Sequence, residues 1–353
     1  MEFSILTEPM NNPLLSICLP TYNRAELLRE CLASVGPQVA ALAPRVELVI
    51  SDNCSPDGTR EVVDEAAKKW PLVYHRNDCN IGGTANFIRV ASLARGEYVW
   101  LIGDDDLVTA GSLEHLLGVL QAHPDVDFIY ANTSVRPAEI RATLSGSLPP
   151  PVMSEGVQCQ DPDDHQVRRW EELIDWRYDI APMVGVMKLV FRREPWVEAT
   201  NSRLYNDSRY TRIIPWFGQA MLMAVSMVGR PAYYVARPCT LVFCGHQEYS
   251  DQVPYIFGLL LHDLIDFYAE AGVPRAIIDK FRTDFLMSPW WVESLIGHED
   301  FSPLRFAWRL RRYPLPVLHT LRPVLKRRCP RLVWMAGKMV VRALRAASRT
   351  VHT

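Results

Sequence analysis

Three consecutive carboxylates, Asp104-Asp105-Asp106, follow an apolar run that ends in Trp100-Leu101-Ile102 and a single Gly103. Adjacent carboxylates repel one another, so folding them together costs stability unless a cation neutralises them. A hard divalent ion with oxygen ligands, Mn2+ or Mg2+, meets that need, and a bound diphosphate supplies its remaining ligands. Such an ion acts as a Lewis acid on charge developing at the phosphate. The plainer alternative is a solvated acidic turn leading into the helix at Gly111. A second acidic segment, residues 51–59, also follows an apolar run. Asp52 leaves that run directly and is placed to accept hydrogen bonds from a ligand's amide or amino group. Asp57 or Ser55 reads instead as the cap of the next helix.

These side chains can act together only if the elements between them bring them to one place. Residues 14–19, 46–51, 72–75, 98–102 and 126–132 are short apolar runs expected as strands. Between them, residues 24–35, 59–70, 84–94 and 111–121 carry apolar faces at helical spacing, with Gly96 expected to end the third. The alternation predicts an α/β fold, a mainly parallel sheet flanked by helices. In such sheets ligands bind beyond the carboxyl ends of the strands, which gathers residues 20–24, 52–57, 76–80 and 103–106 around one crevice. Residues 136–164, rich in Pro, Ser and Gly, read as a loop or flap. Residues 183–191 and 232–243 are expected as strands, and 214–227 as a buried helix. Beyond Gly245 the pattern is helical, over 255–270 and 275–296 and then in basic segments broken by Pro314, Pro316, Pro323 and Pro330. The expected division is a domain over 13–245 and a helical, basic region over 246–353.

The net charge of -2 hides an asymmetry: residues 301–353 hold thirteen Lys and Arg and no Asp or Glu, leaving 25 basic and 40 acidic residues before them. Basic residues interleaved with Trp308, Trp334 and aliphatic neighbours suit a helix lying in an anionic membrane interface. Packing of that region on the acidic body is the alternative. Nucleic acid is not an expected partner, because no recognised binding module is present and the acidic body repels phosphate backbones. The eight cysteines show no CxxC spacing and read as reduced thiols. The stretch Met1 to Asn12 has neither a basic start nor an apolar core, and 213–228 falls short of the ~18 residues of a bilayer span. The chain is therefore expected on the cytoplasmic side, peripheral to the inner face of the plasma membrane.

Leu19-Pro20-Thr21-Tyr22-Asn23-Arg24, the 52–59 segment, Asn80-Ile81-Gly82-Gly83 with Asn86, and Ala94-Arg95-Gly96-Glu97-Tyr98 running into Gly103-Asp104-Asp105-Asp106 resemble, in order, the motifs of glycosyltransferase family 2. The resemblance covers about 120 residues and looks most like bacterial members that build O-antigen or capsular polysaccharide, including an abequosyltransferase-like branch. It implies a GT-A fold and transfer of a sugar from a nucleotide-diphosphate sugar to a saccharide hydroxyl, with a divalent metal and inversion at the sugar. It further implies that Pro20, Thr21 and Tyr22 line the nucleoside pocket, that Asp52 reads the base, and that Arg76 contacts the nucleotide. Arg24, Asn80 and Gly83 fall in the same motifs and are counted with the donor-binding residues. Asp104 and Asp105 match the acidic pair that touches ribose and metal, and Asp106 completes the DXD spacing.

An inverting displacement needs a general base on the far face of the sugar from the diphosphate. The family's usual Glu-Asp motif is replaced here by Pro215-Trp216-Phe217-Gly218-Gln219, without a carboxylate. Asp207 heads the candidates for the base because it precedes the expected helix, followed by Asp179 and Asp175. His246 is a candidate base or an additional metal ligand. The acceptor is expected to be a saccharide carried on a polyprenyl lipid. Two other classes compete: a sugar nucleotidyltransferase, disfavoured because no Gly-rich basic loop follows the first strand, and a membrane-associated scaffold with a decayed donor site.

Overall fold

The computed structural model describes residues 12–144, 148–178, 185–244 and 256–287, with a few positions between 307 and 317. Its sheet begins with β1 (Leu15–Thr21) and β2 (Val46–Asp52), both buried along their whole length. β3 (Val73–Arg76) and β4 (Tyr98–Leu101) flank them, and all four run parallel in the order β3-β2-β1-β4. The apolar runs are continuous rather than alternating because helices cover both faces. α1 (Ala25–Leu42), α2 (Thr59–Ala67), α3 (Gly83–Leu93) and α4 (Ser112–Ala122) form the connections. Leu28, Cys31, Leu32 and Val35 of α1 lie in one apolar cluster with Leu15, Ile17, Leu48 and Ile50 of the sheet.

Beyond β4 the sheet becomes mixed. β8 (Leu189–Arg192) runs antiparallel between β4 and β6 (Phe128–Pro137), and β6 is parallel to β9 (Ala232–Cys244). β5 (Leu107–Val108) and β7 (His165–Val167) pair antiparallel with β9. Arg192 fastens β8 in place: its Nε bonds to Asp127 at 2.5 Å and its guanidinium lies over the Tyr98 ring. Of the strand expected over 183–191, residues 183 and 184 lie outside the described residues, Val186–Lys188 form a 3-10 turn, and the strand itself is Leu189–Arg192. Part of the expected flap is ordered, since β6 continues to Pro137 along β9 and a helical turn follows at Arg141–Leu144. α5 (Arg193–Ala199) and α6 (Ile214–Met227) complete the cover. The Thr84 hydroxyl at the start of α3 donates to Ile214 O at 2.9 Å, and a Cβ on Gly218 of α6 would meet Thr84 at 2.3 Å.

The described residues fall into two compact units, one within Met1–Glu248 together with Asp266–Ile278, the other within Tyr249–Ile265 and Asp279–Thr353. In the first, Arg209 pairs with Glu270, and the Tyr268 hydroxyl donates to Ala220 O at 3.0 Å. In the second, Arg282 donates to His262 O at 3.3 Å, and Arg309 pairs with Asp263. Helices Leu261–Glu270 and Arg275–Met287 match the expected helical pattern, and residues 288–306 and 318–353 lie outside the described residues. Among the described residues no helix is long and apolar enough to cross a membrane.

Gly96 shows how closely the connection into β4 passes β1: a Cβ there would lie 2.8 Å from the Ser16 backbone nitrogen. Backbone cannot move aside as a side-chain tip does. Gly96→Ala is therefore expected to destabilise the fold by roughly 1–3 kcal/mol, measured as a lowered midpoint of denaturant unfolding; an unchanged midpoint would contradict this packing.

Candidate active site

Strand register creates the site's floor. Thr21 pairs with Asp52 and Asp52 with Arg76, so three polar residues stand level at the carboxyl edge of β1, β2 and β3. β4 ends beside them, and its continuation Ile102 still donates to Cys18 O at 3.1 Å. The chain then turns through Gly103–Asp106. Asp106 Oδ2 accepts the Gly103 N–H at 2.8 Å, and the Asp106 N–H donates to Gly103 O at 3.2 Å. A Cβ on Gly103 would sit 2.7 Å from Asp105 Oδ1 and 2.8 Å from Asp106 Oδ2, so a side chain there would push the carboxylates apart.

The three acids take three different environments. Asp104 is only 5% exposed; its Oδ2 accepts from the Thr21 hydroxyl at 2.8 Å and its Oδ1 lies 3.1 Å from Arg24 Nη1. Burial pushes its pKa up to about 6, with Arg24 opposing and Asp105 adding to the rise. Asp105 has a side chain 43% exposed, and its Oδ2 lies 3.4 Å from the same Arg24 nitrogen. Asp106 is buried, and that burial, reinforced by Asp105, raises its pKa well above the usual carboxylate range. Asp104 and Asp105 fit a cation, because they already share one in the Arg24 guanidinium. Asp106 does not join them, since it closes the turn and faces inward. Of the expected metal set, Asp104 and Asp105 meet at Arg24, Asp106 closes its own turn, and His246 lies outside the described residues. Among the described residues no group of three or more His, Cys, Asp or Glu side chains gathers as a metal site.

Neighbouring loops hold Arg24 in position. Asn23 adopts a left-handed backbone (φ 56), and its N–H donates to Ser55 Oγ at 2.9 Å. The Ala25 N–H donates to Asp57 Oδ2 at 2.9 Å, while Asp57 Oδ1 accepts the Thr59 hydroxyl at 2.6 Å. Asp57 thus serves the starts of both α1 and α2. A cleft of about 550 Å3 opens here, lined by Asn23, Arg24, Asp57 and Asp105 among others. Arg141, from the expected flap, donates to Asp105 O at 2.8 Å and to Glu30 at 2.5 Å, bracing the acidic turn from outside.

On the other side of the row, Asp52 is fully buried. It accepts from the Tyr74 hydroxyl, Arg76 Nη1 and the Ser55 N–H, each at 2.8 Å. These bonds take three of the roughly four acceptor sites of a carboxylate. Burial, together with Asp52, pushes Tyr74 up to about 12. Arg76 also donates to Ser55 O at 2.9 Å. Asn80 Oδ1 accepts from Asn53 at 2.8 Å and from the Gly82 N–H at 2.9 Å, and Gly83 opens α3. Pro20 is buried in β1, whereas Tyr22 is 43% exposed beside it. Sequence reasoning missed Tyr74 and Arg141. Tyr74 was findable, because it and Arg76 are two apart in a strand and so share a face; Arg141 carried no local signal.

The candidates for the base fare differently. Asp207 caps the 3-10 segment Ser208–Ile213 by accepting the Arg209 N–H, and it pairs with the Arg209 guanidinium at 2.9 Å. Those bonds hold its carboxyl below the usual range and make it the cap of that segment. Asp175 accepts the Arg177 N–H at 2.9 Å. Asp179 lies outside the described residues.

Residues 16–167 match the family described as Glycosyl transferase family 2. That segment is a glycosyl transferase family 2 domain. It is 41% identical over 115 residues to the abequosyltransferase RfbV of Salmonella typhimurium, covering 32% of this chain and 34% of the relative. It is 35% identical over 131 residues to the putative colanic acid biosynthesis glycosyl transferase WcaA of Escherichia coli, covering 37% of this chain and 46% of the relative. The chain thus spans less than half the length of either relative. The fold extends further than the sequence similarity. S. aureus TarS 1-349, solved in complex with UDP-GlcNAc, superposes with a TM-score of 0.58 at 16% identity, over 88% of this chain and 86% of that one. The mannosyltransferase PcManGT of Pyrobaculum calidifontis, solved with GDP-Man and Mn2+, gives 0.51 at 15% identity, over 94% and 91%. The fold is GT-A, as the motifs implied.

Burial of Asp104 carries a pH signature. The folded protein keeps this proton up to about pH 6, whereas an unfolded chain releases it near ~4. Folding therefore binds a proton in that window, and this group makes the protein less stable as pH rises through it. Asp104→Asn is expected to raise stability at pH 7 by roughly 1–2 kcal/mol, with the gain shrinking towards pH 5. Thermal unfolding of both proteins across that range tests this; a destabilised variant at pH 7 would contradict it.

Proposed function

We propose that the chain is a glycosyltransferase that moves a sugar from a nucleotide-diphosphate sugar to a hydroxyl of a saccharide in cell-surface polysaccharide or O-antigen synthesis. The observation that carries this reading is the Asp104–Asp105 pair, held by Thr21 and Arg24 at the carboxyl edge of the sheet, inside a glycosyl transferase family 2 segment. The names of the two relatives, an abequosyltransferase and a putative colanic acid enzyme, support sugar transfer into surface polysaccharide. The nucleotide-sugar complexes of TarS and PcManGT support the donor class.

In this reading the nucleoside lies along the row of Thr21, Asp52 and Arg76, with Pro20 and exposed Tyr22 forming its wall. Asn80 and Gly83 border the same crevice where α3 begins, and a helix start favours phosphate. A divalent ion, Mn2+ or Mg2+, supplies neutralising charge to the departing diphosphate when bound, with Asp104 and Asp105 as the residues that would hold it. Thr21 fixes the orientation of Asp104, and Asp106 keeps the turn closed so that Asp105 stays at the open side. The acceptor hydroxyl displaces the diphosphate from the sugar carbon in a single inverting step, giving up its proton to a base. That base does not come from residues 215–219, which open α6 without a carboxylate.

The proposed division of labour assigns this chemistry to residues 13–245 and contact with the acceptor or the membrane to residues 246–353. Thirteen basic and no acidic residues over 301–353 support attachment to an anionic cytoplasmic leaflet, and with it an acceptor carried on a polyprenyl lipid. Nucleic acid has no place in this reading.

Asp105→Ala is expected to abolish transfer and to remove metal-dependent stabilisation by a nucleoside diphosphate, while the unfolding midpoint without ligand stays near that of the parent. Thermal shift against UDP, GDP, CDP and dTDP, with and without Mn2+, provides the readout and names the donor base. Full activity in the variant would sink the reading.

A further inference from the structure

In this structure the cation that joins Asp104 to Asp105 belongs to the chain itself. One nitrogen, Arg24 Nη1, lies 3.1 Å from Asp104 Oδ1 and 3.4 Å from Asp105 Oδ2. We propose that Arg24 is a placeholder for the metal: it neutralises the acidic pair while the donor is absent and transfers to the donor's diphosphate when the metal arrives. This rests on the glycosyltransferase reading and assigns its site an order of binding.

A divalent ion binds carboxylate oxygens at about 2.0–2.6 Å, so it cannot occupy the space between these two while a guanidinium nitrogen fills it. Two cations side by side also repel, by about 1–4 kcal/mol for unit charges at such separations. Arg24 must therefore withdraw, and it can do so only by rotation of its side chain. The backbone around it is fixed by the Asn23 N–H on Ser55, the Ala25 N–H on Asp57, and the left-handed turn at Asn23. The guanidinium has somewhere to go, because Arg24 and Asp105 line the same cleft of about 550 Å3. Of the other acids on that cleft, Asp57 already accepts from Ala25 and Thr59, and Glu26 lies 3.6 Å from Arg29. A planar guanidinium pairs with phosphate oxygens through two parallel bonds, so a diphosphate in the cleft offers Arg24 a partner as good as the one it leaves. Metal and donor then bind cooperatively, each paying less once the other is present.

Arg24→Gln tests this, with free Mn2+ followed by electron paramagnetic resonance and nucleotides by calorimetry. Without nucleotide, the variant is expected to bind Mn2+ about tenfold more tightly than the parent. With Mn2+ present, it should bind whichever of UDP, GDP, CDP or dTDP the parent binds at least about tenfold more weakly, and the matching nucleoside equally well. Arg24→Lys, which keeps the charge, should leave free Mn2+ binding near that of the parent, and Arg24→Met serves if the glutamine variant fails to fold. Free Mn2+ affinity that is unchanged or weaker in both neutral variants would overturn the proposal. If the parent binds none of the four diphosphates with Mn2+, the glycosyltransferase reading fails instead, and the Mn2+ titration of Arg24→Gln still decides whether Arg24 guards the acidic pair.

Discussion

Removing a carboxylate from water costs several kcal/mol unless hydrogen bonds and opposite charge replace the solvent, and this molecule places two such groups, Asp104 and Asp106, in one turn. Much of the local architecture serves to make that tolerable. Thr21 gives Asp104 a hydroxyl, Arg24 gives it a positive charge, and Gly103 gives Asp106 a backbone N–H. The compensation is incomplete, since both acids keep raised pKa values. An incompletely compensated acidic turn at the open edge of a parallel sheet favours the arrival of more positive charge. Stability has been given up at the place where binding can recover it.

The rest of the site follows from the need to hold that turn against its neighbours. Each contact comes from a segment distant in sequence: Thr21 at the end of β1 and Arg24 after it, Ser55 and Asp57 after β2, Arg141 beyond β6. A second polar network ties the β2 and β3 edges to α3. Asn86 accepts from the Ser51 hydroxyl at 2.7 Å and returns a bond to Ser51 O at 2.9 Å, and Asn77 donates to Asn86 at 3.0 Å. Fully buried networks of this kind are costly when half satisfied and rigid when complete. They leave Asp105 and Tyr22 among the exposed side chains of the crevice, which is where a ligand would meet the protein.

The match to the family ends at residue 167, while the fold likeness takes in 88% of the chain. This later part carries the less orthodox features. β8 enters antiparallel, fastened by Arg192 to Asp127 and Tyr98. α6 begins with Pro215-Trp216-Phe217-Gly218, and its close approach to α3 requires a glycine opposite Thr84. A start so closely packed gives a physical reason why this stretch serves contact between helices.

The strand and helix pattern to residue 132 was legible in the sequence because parallel strands covered on both faces are written as unbroken apolar runs, and the helices between them as periodic ones. The crevice was legible for the same reason, since strand ends alone fix where Thr21, Asp52, Arg76 and the acidic turn must meet. β8 was expected over 183–191 but begins only at Leu189, because a four-residue strand preceded by a 3-10 turn leaves too few residues to mark its start. What the sequence could not state is how the charges divide. Asp104, Asp105 and Asp106 are chemically identical and adjacent, yet one faces Thr21 and Arg24, one faces the cleft, and one closes its own turn. Asp207 looked like a free acid and is a cap paired with Arg209. Type and spacing alone placed acids at the mouth of the sheet; only the folded chain decided which of them is neutralised from within and which stays open, because the partner hydroxyl and charge come from residues some eighty positions away.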